Sequence, residues 1–363
     1  MSDEDSSLIN LHDMEEAARD RLPPMIFGYY SSGAHDEITL RENRASYDRI
    51  ALRPRVLSDV SVRDLSTTVL GAALPVPILI APMAFQRLAH PDGELATARA
   101  AAQAGWGMIL STLSTTPVEE VSAATSAPLW FQLYVFKDRE MTRALVERAE
   151  RAGCSALVLT VDTPVLGRRE RDVRNHFHFP AEVSIAHTMP GGMQKLPELE
   201  DDSGLAAHAH RMLDASINWR DIDWLKSFTP LPVLLKGILR ADDARLAVES
   251  GAAGIIVSNH GGRQLDTAVA TIRALPEIAE AVAGRVEILV DGGIRRGTDI
   301  VKALALGARA VLLGRPVLWG LALDGERGVT RVMRILRDEL DLAMALCGCR
   351  TIEELSADLI ASG

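Results

Sequence analysis

Cysteine is scarce in this chain. Three residues in 363, Cys154, Cys347 and Cys349, make neither a disulfide framework nor the spacing of a metal site. That usage fits a reducing cytoplasm, and Cys154 reads as small core filling. Positive charge is also short: 39 Lys and Arg against 49 Asp and Glu leave a net charge of −10 and a pI near 5.5. With no basic stripe to offset that balance, nucleic acid is not an expected partner. An anionic small molecule remains open, because salt screens the global field beyond about 8 Å and local arginines decide. Long apolar runs are missing too. The longest, from Val69 to Phe85, is broken by Pro75, Pro77 and Pro82 and reads as a turn plus a buried strand, not a membrane span. The first residues, Met1-Ser2-Asp3-Glu4-Asp5, lack the basic-then-apolar order of a signal peptide. Finally, no strand-like run is followed by G-x-G-x-x-G, the mark of a doubly wound dinucleotide fold.

What is present is rhythm. Apolar runs at 77–81, 108–111, 129–134, 156–161, 232–236, 254–257, 286–290 and 310–314 alternate with helical patterns such as 93–103, 117–124 and 138–152. Ala104-Gly105, Ala152-Gly153, Ser250-Gly251 and Leu306-Gly307 each end a helix just before a strand, where glycine takes the left-handed cap. Eight such units predict an α/β protein built as a single (β/α)8 TIM barrel over residues 75–363. Residues 1–74 read as an N-terminal cap: a helix from about Leu11 to Tyr30, a second to about Tyr47, then an extended arm through Arg53-Pro54-Arg55. One long connection, from Arg168 to about Trp219 after the fourth strand, holds Pro190-Gly191-Gly192 and Asp201-Asp202-Ser203-Gly204 and reads as a loop-rich lid or disordered segment.

A barrel of this kind gathers its chemistry at the carboxyl ends of its strands. Those ends carry Pro82-Met83-Ala84, Ser111, Gln132 with Tyr134, Thr160-Val161-Asp162, Lys236, Ser258-Asn259-His260-Gly261-Gly262-Arg263, Asp291-Gly292-Gly293-Ile294-Arg295 and Gly314-Arg315. Glycine-rich ends of the last two strands form the common phosphate site of the fold, and Arg295 and Arg315 add charge for a dianion. Lys236 closes an apolar strand, so its ammonium needs an anion. It reads as a Schiff-base nucleophile, as the partner of a negatively charged cofactor ring, or as half of a salt bridge to a neighbouring strand. Asp162 and His260 suit a carboxylate orienting a general base. Arg169 and Arg263 offer forked donors for a substrate carboxylate, although Gly167-Arg168-Arg169-Glu170 also reads as a surface charge run.

The sequence resembles the FMN-dependent 2-hydroxy acid oxidases, the family of glycolate, lactate and 4-hydroxymandelate oxidases. The likeness runs from Tyr29-Tyr30-Ser31-Ser32-Gly33-Ala34 to Met344-Ala345-Leu346-Cys347-Gly348-Cys349-Arg350. It is sharpest in Thr160-Val161-Asp162-Thr163-Pro164, in Ser258 to Asp266, and in Asp291 to Gly297. The resemblance implies that His260, backed by Asp162, takes the hydroxyl proton of an (S)-2-hydroxy acid while Arg169 and Arg263 hold its carboxylate. Tyr29 and Tyr134 would donate hydrogen bonds to the substrate. Lys236 would face the flavin's N1–O2 side. Pro82, Met83, Ala84, Ser111, Gln132, Thr160 and Ser258 would line the isoalloxazine and ribityl chain. The phosphate would rest on Gly292, Gly293, Ile294, Arg295, Gly314 and Arg315, with Asp291 on a ribityl hydroxyl. Oxygen, reduced to hydrogen peroxide, is the expected acceptor, since these residues include neither a haem domain nor a membrane-anchoring insertion. A same-family dehydrogenase using a quinone or cytochrome, or a non-redox FMN barrel, is the alternative. Family likeness also implies a homotetramer or octamer. Plant-type glycolate oxidases carry tryptophan where this chain has Leu113, which predicts a larger pocket and makes lactate or longer 2-hydroxy acids candidates.

Overall fold

A computed structural model describes residues 8–180, 183–187 and 211–361. Its first element, α1 (Leu11–Arg21), starts at Asn10, whose side chain accepts from the backbone of His12 and Asp13 while Asp13 answers in a capping box. The single helix expected from Leu11 to Tyr30 is in fact two. Leu22 is held extended ahead of Pro23, and α2 (Pro24–Ser31) begins afresh with proline at its first position, where the missing N–H costs nothing. A third helix, α3 (Ile38–Asp48), follows as expected.

The chain then makes a hairpin that the sequence did not announce, β1 (Thr67–Val69) with β2 (Ala72–Leu74), turning through Leu70 and Gly71 at positive φ. Val69 and Leu74 join the apolar cluster inside the barrel, and Glu287 accepts a hydrogen bond from the Leu70 N–H. The hairpin therefore plugs the amino end of the barrel.

The barrel strands are β3 (Ile78–Ile80), β4 (Gly107–Leu110), β5 (Leu129–Leu133), β6 (Leu157–Thr160), β7 (Val233–Ile238), β8 (Gly254–Val257), β9 (Glu287–Val290) and β10 (Ala310–Leu313). They pair in parallel in sequence order and close through β10 on β3. Side chains alternate across the wall. Leu79, Ile109, Trp130, Val158, Leu234, Ile256, Leu289 and Leu312 fill the interior, while their neighbours in sequence pack outward. Outside lie α4 (Gly93–Ala104), α5 (Val118–Ala123), α6 (Arg139–Arg151), α7 (Glu170–Arg174), α8 (Arg220–Lys226), α9 (Ala241–Glu249), α10 (Thr271–Val282), α11 (Gly297–Ala305) and α12 (Arg315–Cys347), the last interrupted at Asp324-Gly325. The four glycine caps foreseen before strands, Gly105, Gly153, Gly251 and Gly307, all take positive φ.

In the long connection after β6, α7 was not foreseen. The Pro190-Gly191-Gly192 and Asp201-Asp202-Ser203-Gly204 stretches lie outside the described residues. Among the described residues, no helix is long and apolar enough to cross a membrane.

One irregularity positions the site. Strand β7 does not stop at Lys236 but bulges between Lys236 and Ile238, with Gly237 at φ 117°. A Cβ on Gly237 would lie 2.6 Å from the Cβ of Asp162, so the bulge lets the end of β6 come close. Gly237→Ala is expected to cost about 1–3 kcal/mol in strain and contact, read as a lower thermal midpoint. A variant as stable as the parent would contradict this packing.

Candidate active site

At the carboxyl end of β8 the chain turns through Ser258, Asn259 and His260. The Asn259 carboxamide exchanges hydrogen bonds with that of Asn43 on α3, at 2.7 and 2.8 Å, and its oxygen accepts from the Gly262 N–H. The cap thus grips the turn from outside. His260 sits at φ 57°, a left-handed conformation that a side chain adopts only at a cost of about 1–2 kcal/mol. Its Nδ1 lies 2.8 Å from Asp162 Oδ1. Burial weighs against a charged Asp162, but its pairing and hydrogen bond with His260, helped by the Lys236 cation, outweigh it and hold the carboxyl below its usual range. Facing an ionised carboxylate, Nδ1 carries the hydrogen and Nε2 is left as the acceptor. Burial, aided by Lys236 and Arg169 against the pull of Asp162, lowers the His260 pKa, so the imidazole is neutral at neutral pH.

Lys236 donates to Ser258 Oγ at 2.8 Å and pairs with Asp291 Oδ2 at 3.2 Å, while Ser258 donates to that same carboxylate oxygen. The salt-bridge reading is therefore realised, with a partner from β9 two strands away, and Lys236 lines the cavity as well. Burial opposes its charge, yet Asp291 and Asp162 raise its pKa above the ordinary value. An ammonium held protonated is a poor nucleophile, which weighs against the Schiff-base reading. Beside it, Gln132 donates to Thr160 Oγ1 and accepts from the Thr112 N–H.

The guanidinium groups converge on the carbonyl-rich end of α2. Arg263 donates to the carbonyls of Tyr29 and Ser32 with its guanidinium 5.0 Å over the Tyr29 ring. Arg315 donates to those of Tyr30, Ser32 and Gly261. Arg295 lies 3.5 Å from Glu15 of α1. Arg169 is buried, 3.9 Å from Asp172, and its Nε has no hydrogen-bond partner among the described residues. Burial and mutual repulsion push Arg263 down to about 10 and Arg315 down to about 9. A site that depresses arginines in this way stabilises whatever anion enters it.

One cavity joins these groups. Tyr29, Tyr134, Arg169, Lys236, His260 and Arg263 line it together with Pro82, Met83, Ala84, Ser111, Gln132, Thr160, Asp291, Gly292, Gly293, Ile294, Arg295, Gly314 and Arg315. Asp162 and Ser258 are not in the wall and touch it through His260 and Lys236. Residues 18–362 match the sequence model of the FMN-dependent dehydrogenases. The chain belongs to that family. It is 56% identical over 359 residues to the L-lactate oxidase of Nostoc sp. strain PCC 7120, with 98% of each chain covered. Glycolate oxidase 3 of Arabidopsis thaliana is 53% identical over 349 residues, covering 96% of this chain and 95% of that one. Among solved structures, mandelate oxidase with (S)-4-hydroxymandelic acid superposes with a TM-score of 0.93 at 44% identity, covering 97% and 98% of the two chains.

The residues present fit the family's flavin mononucleotide. Asp291 Oδ1 is buried with no partner among the described residues, as a carboxylate awaiting a hydroxyl donor would be. Arg295, Arg315 and the Gly292-Gly293 turn give one end of the cavity the character of a phosphate cradle. Several contributors escape notice in the sequence. Leu166, Leu213 and Leu318 supply apolar wall, and Thr163 places its hydroxyl 3.0 Å from Asp162 and 3.3 Å from His260. Only their position in space reveals them. Lys236→Met would strand Asp291 and Asp162 without their buried cation, a loss of about 3–5 kcal/mol. Urea unfolding checks it, and an unmoved midpoint would show that the pair contributes nothing.

Proposed function

We propose that the protein oxidises an (S)-2-hydroxy acid to the 2-oxo acid and passes the electrons to O2, giving hydrogen peroxide. The observation that carries this reading is the His260–Asp162 pair, its imidazole neutral, in a cavity that Arg169, Lys236 and Arg263 also line. The names of its relatives, L-lactate oxidase and glycolate oxidase, support the same reaction class.

In this reading Arg169 and Arg263 bind the substrate carboxylate, and Tyr29 and Tyr134 donate hydrogen bonds to the carboxylate or hydroxyl. His260 Nε2 accepts the hydroxyl proton, and Asp162 stabilises the imidazolium that results. Ser111, Gln132, Thr160, Lys236 and Asp291 would hold the flavin and ribityl chain, and Gly292, Gly293, Arg295, Gly314 and Arg315 the phosphate. Bound FMN would supply the acceptor for the two electrons and the hydrogen of the substrate's Cα–H bond. Lys236 keeps a fixed positive charge in the wall throughout.

Substrate size follows from Leu113, which lines the cavity beside Leu166 and Leu213. A leucine leaves room that a tryptophan would fill, and Leu166 and Leu213 add apolar wall to the same cavity. The fit is to lactate and larger 2-hydroxy acids rather than to glycolate alone.

A panel of 2-hydroxy acids, mixed anaerobically with the yellow protein and then exposed to air, tests the reading. Bleaching followed by peroxide is expected. Bleaching without peroxide would move the acceptor to a quinone or cytochrome, and no bleaching with any acid would end the proposal. His260→Asn is expected to slow flavin reduction about 10²–10⁴-fold, the usual share of a general base. Arg263→Lys is expected to raise KM through loss of the guanidinium fork, and an unchanged KM would take Arg263 out of carboxylate binding.

A further inference from the structure

The residue after Asp162 has no part in the reaction as described, yet it touches both members of the dyad. Thr163 Oγ1 is 3.0 Å from Asp162 Oδ1 and 3.3 Å from His260 Nδ1, and these two atoms are themselves 2.8 Å apart. The three polar atoms form a closed triangle, and Thr163 is buried.

We propose that Thr163 is a positioning residue, whose hydroxyl locks the Asp162 carboxylate so that one fixed oxygen faces His260. This rests on the reading of His260 as the base. A hydroxyl carries a single hydrogen, and the ionised carboxylate can only accept. Both the Thr163 O–H and the His260 Nδ1–H therefore donate to Asp162 Oδ1, leaving the threonine lone pairs toward Nδ1 and toward the Tyr134 hydroxyl, its other hydrogen-bond partner. Asp162 Oδ2 has no hydrogen-bond partner among the described residues. With both donors on Oδ1 and none on Oδ2, Thr163 is the second anchor, beside His260 itself, that opposes rotation of the carboxylate about Cβ–Cγ. The β-branched side chain is itself stiff at χ1, so the hydroxyl is a fixed reference point. Through Nδ1, the lock sets the direction in which Nε2 points.

The contact has a second consequence. A donor on Oδ1 reduces the basicity of the oxygen that supports the imidazolium, and so restrains the one group that pulls the His260 pKa upward. The charged groups facing His260 are Asp162 from the end of β6, Lys236 of β7 and Arg169 ahead of α7. The two cations favour the neutral ring, and only Asp162 opposes them. Removing the hydroxyl strengthens Asp162 as a partner, which moves the protonation of His260 to higher pH.

The test compares the holoenzymes of Thr163→Val and Thr163→Ser. It measures the second-order rate of anaerobic flavin reduction by a 2-hydroxy acid against pH, with thermal midpoints as a folding check. The valine variant is expected to be about tenfold slower on the plateau, the order of one hydrogen bond to a charged group, with its acid limb displaced to higher pH. The serine variant, which keeps the hydroxyl, is expected to recover both rate and limb. A valine variant matching the parent in rate and limb overturns the proposal. So does a serine variant as slow as the valine one with an undisplaced limb, since packing of the methyl would then explain the loss. His260→Asn separates the two readings. If that variant reduces flavin at the parent rate, the general base itself is wrong and the lock falls with it. A crippled His260→Asn beside an unaffected Thr163→Val defeats the lock alone.

Discussion

The contact on which the site depends is the 2.8 Å hydrogen bond between Asp162 and His260. It joins the ends of β6 and β8 across β7, two strands that do not touch each other in the barrel. Three features of the chain make that reach possible. The Gly237 bulge in β7 removes the side chain that would hold Asp162 away. The His-Gly-Gly turn folds back in left-handed conformations, all three residues at positive φ. The Asn43–Asn259 amide pair then fastens the turn to the cap. Strain at His260 is thus held by a buried hydrogen-bond pair from another element, which is how a functional conformation persists in a stable protein.

Charge is the second organising constraint. The chain as a whole is acidic, yet its cavity gathers Arg169, Lys236, Arg263, Arg295 and Arg315. The protein answers these cations in part with carbonyls from the end of α2 and in part with Asp291, Asp172 and Glu15. In the proposed reading Arg295 and Arg315 would serve a phosphate, and Arg169 and Arg263 a carboxylate. Burial is the main reason His260 stays neutral, and two of the same cations, Lys236 and Arg169, add to it.

Much of this is legible in the sequence, for a geometric reason. Interior positions of the barrel alternate, and Ser111, Gln132, Thr160, Lys236, Ser258, Asp291 and Gly314 each stand two residues beyond an interior apolar side chain. A polar residue that continues the inward parity at a carboxyl end is a site residue almost by construction. What stays hidden depends on tertiary contact. Nothing local tells that Asn43 meets Asn259, that Glu15 of α1 reaches Arg295, or that Leu213 closes the apolar wall. The Leu11–Tyr30 region misleads for a different reason: apolar spacing continues across Pro23 and Pro24, while the backbone does not. The hairpin at Thr67–Leu74 is too short to show a strand period, and its role as a plug follows only from barrel closure. Thr163 stands in plain view in the Asp162-Thr163-Pro164 motif, but its value lies in two distances.

The pH dependence of the second-order rate of anaerobic flavin bleaching by a 2-hydroxy acid tests the central claim most directly, because that constant reports the free enzyme's base. A neutral His260 with a lowered pKa is charged only in acid, so the rate is expected to fall as pH drops through a single protonation below 6.5, histidine's ordinary value. Above that point it is expected to hold its plateau through neutrality. A limb centred above 6.5, or a rate flat through the acid range, would contradict a neutral imidazole as the proton acceptor.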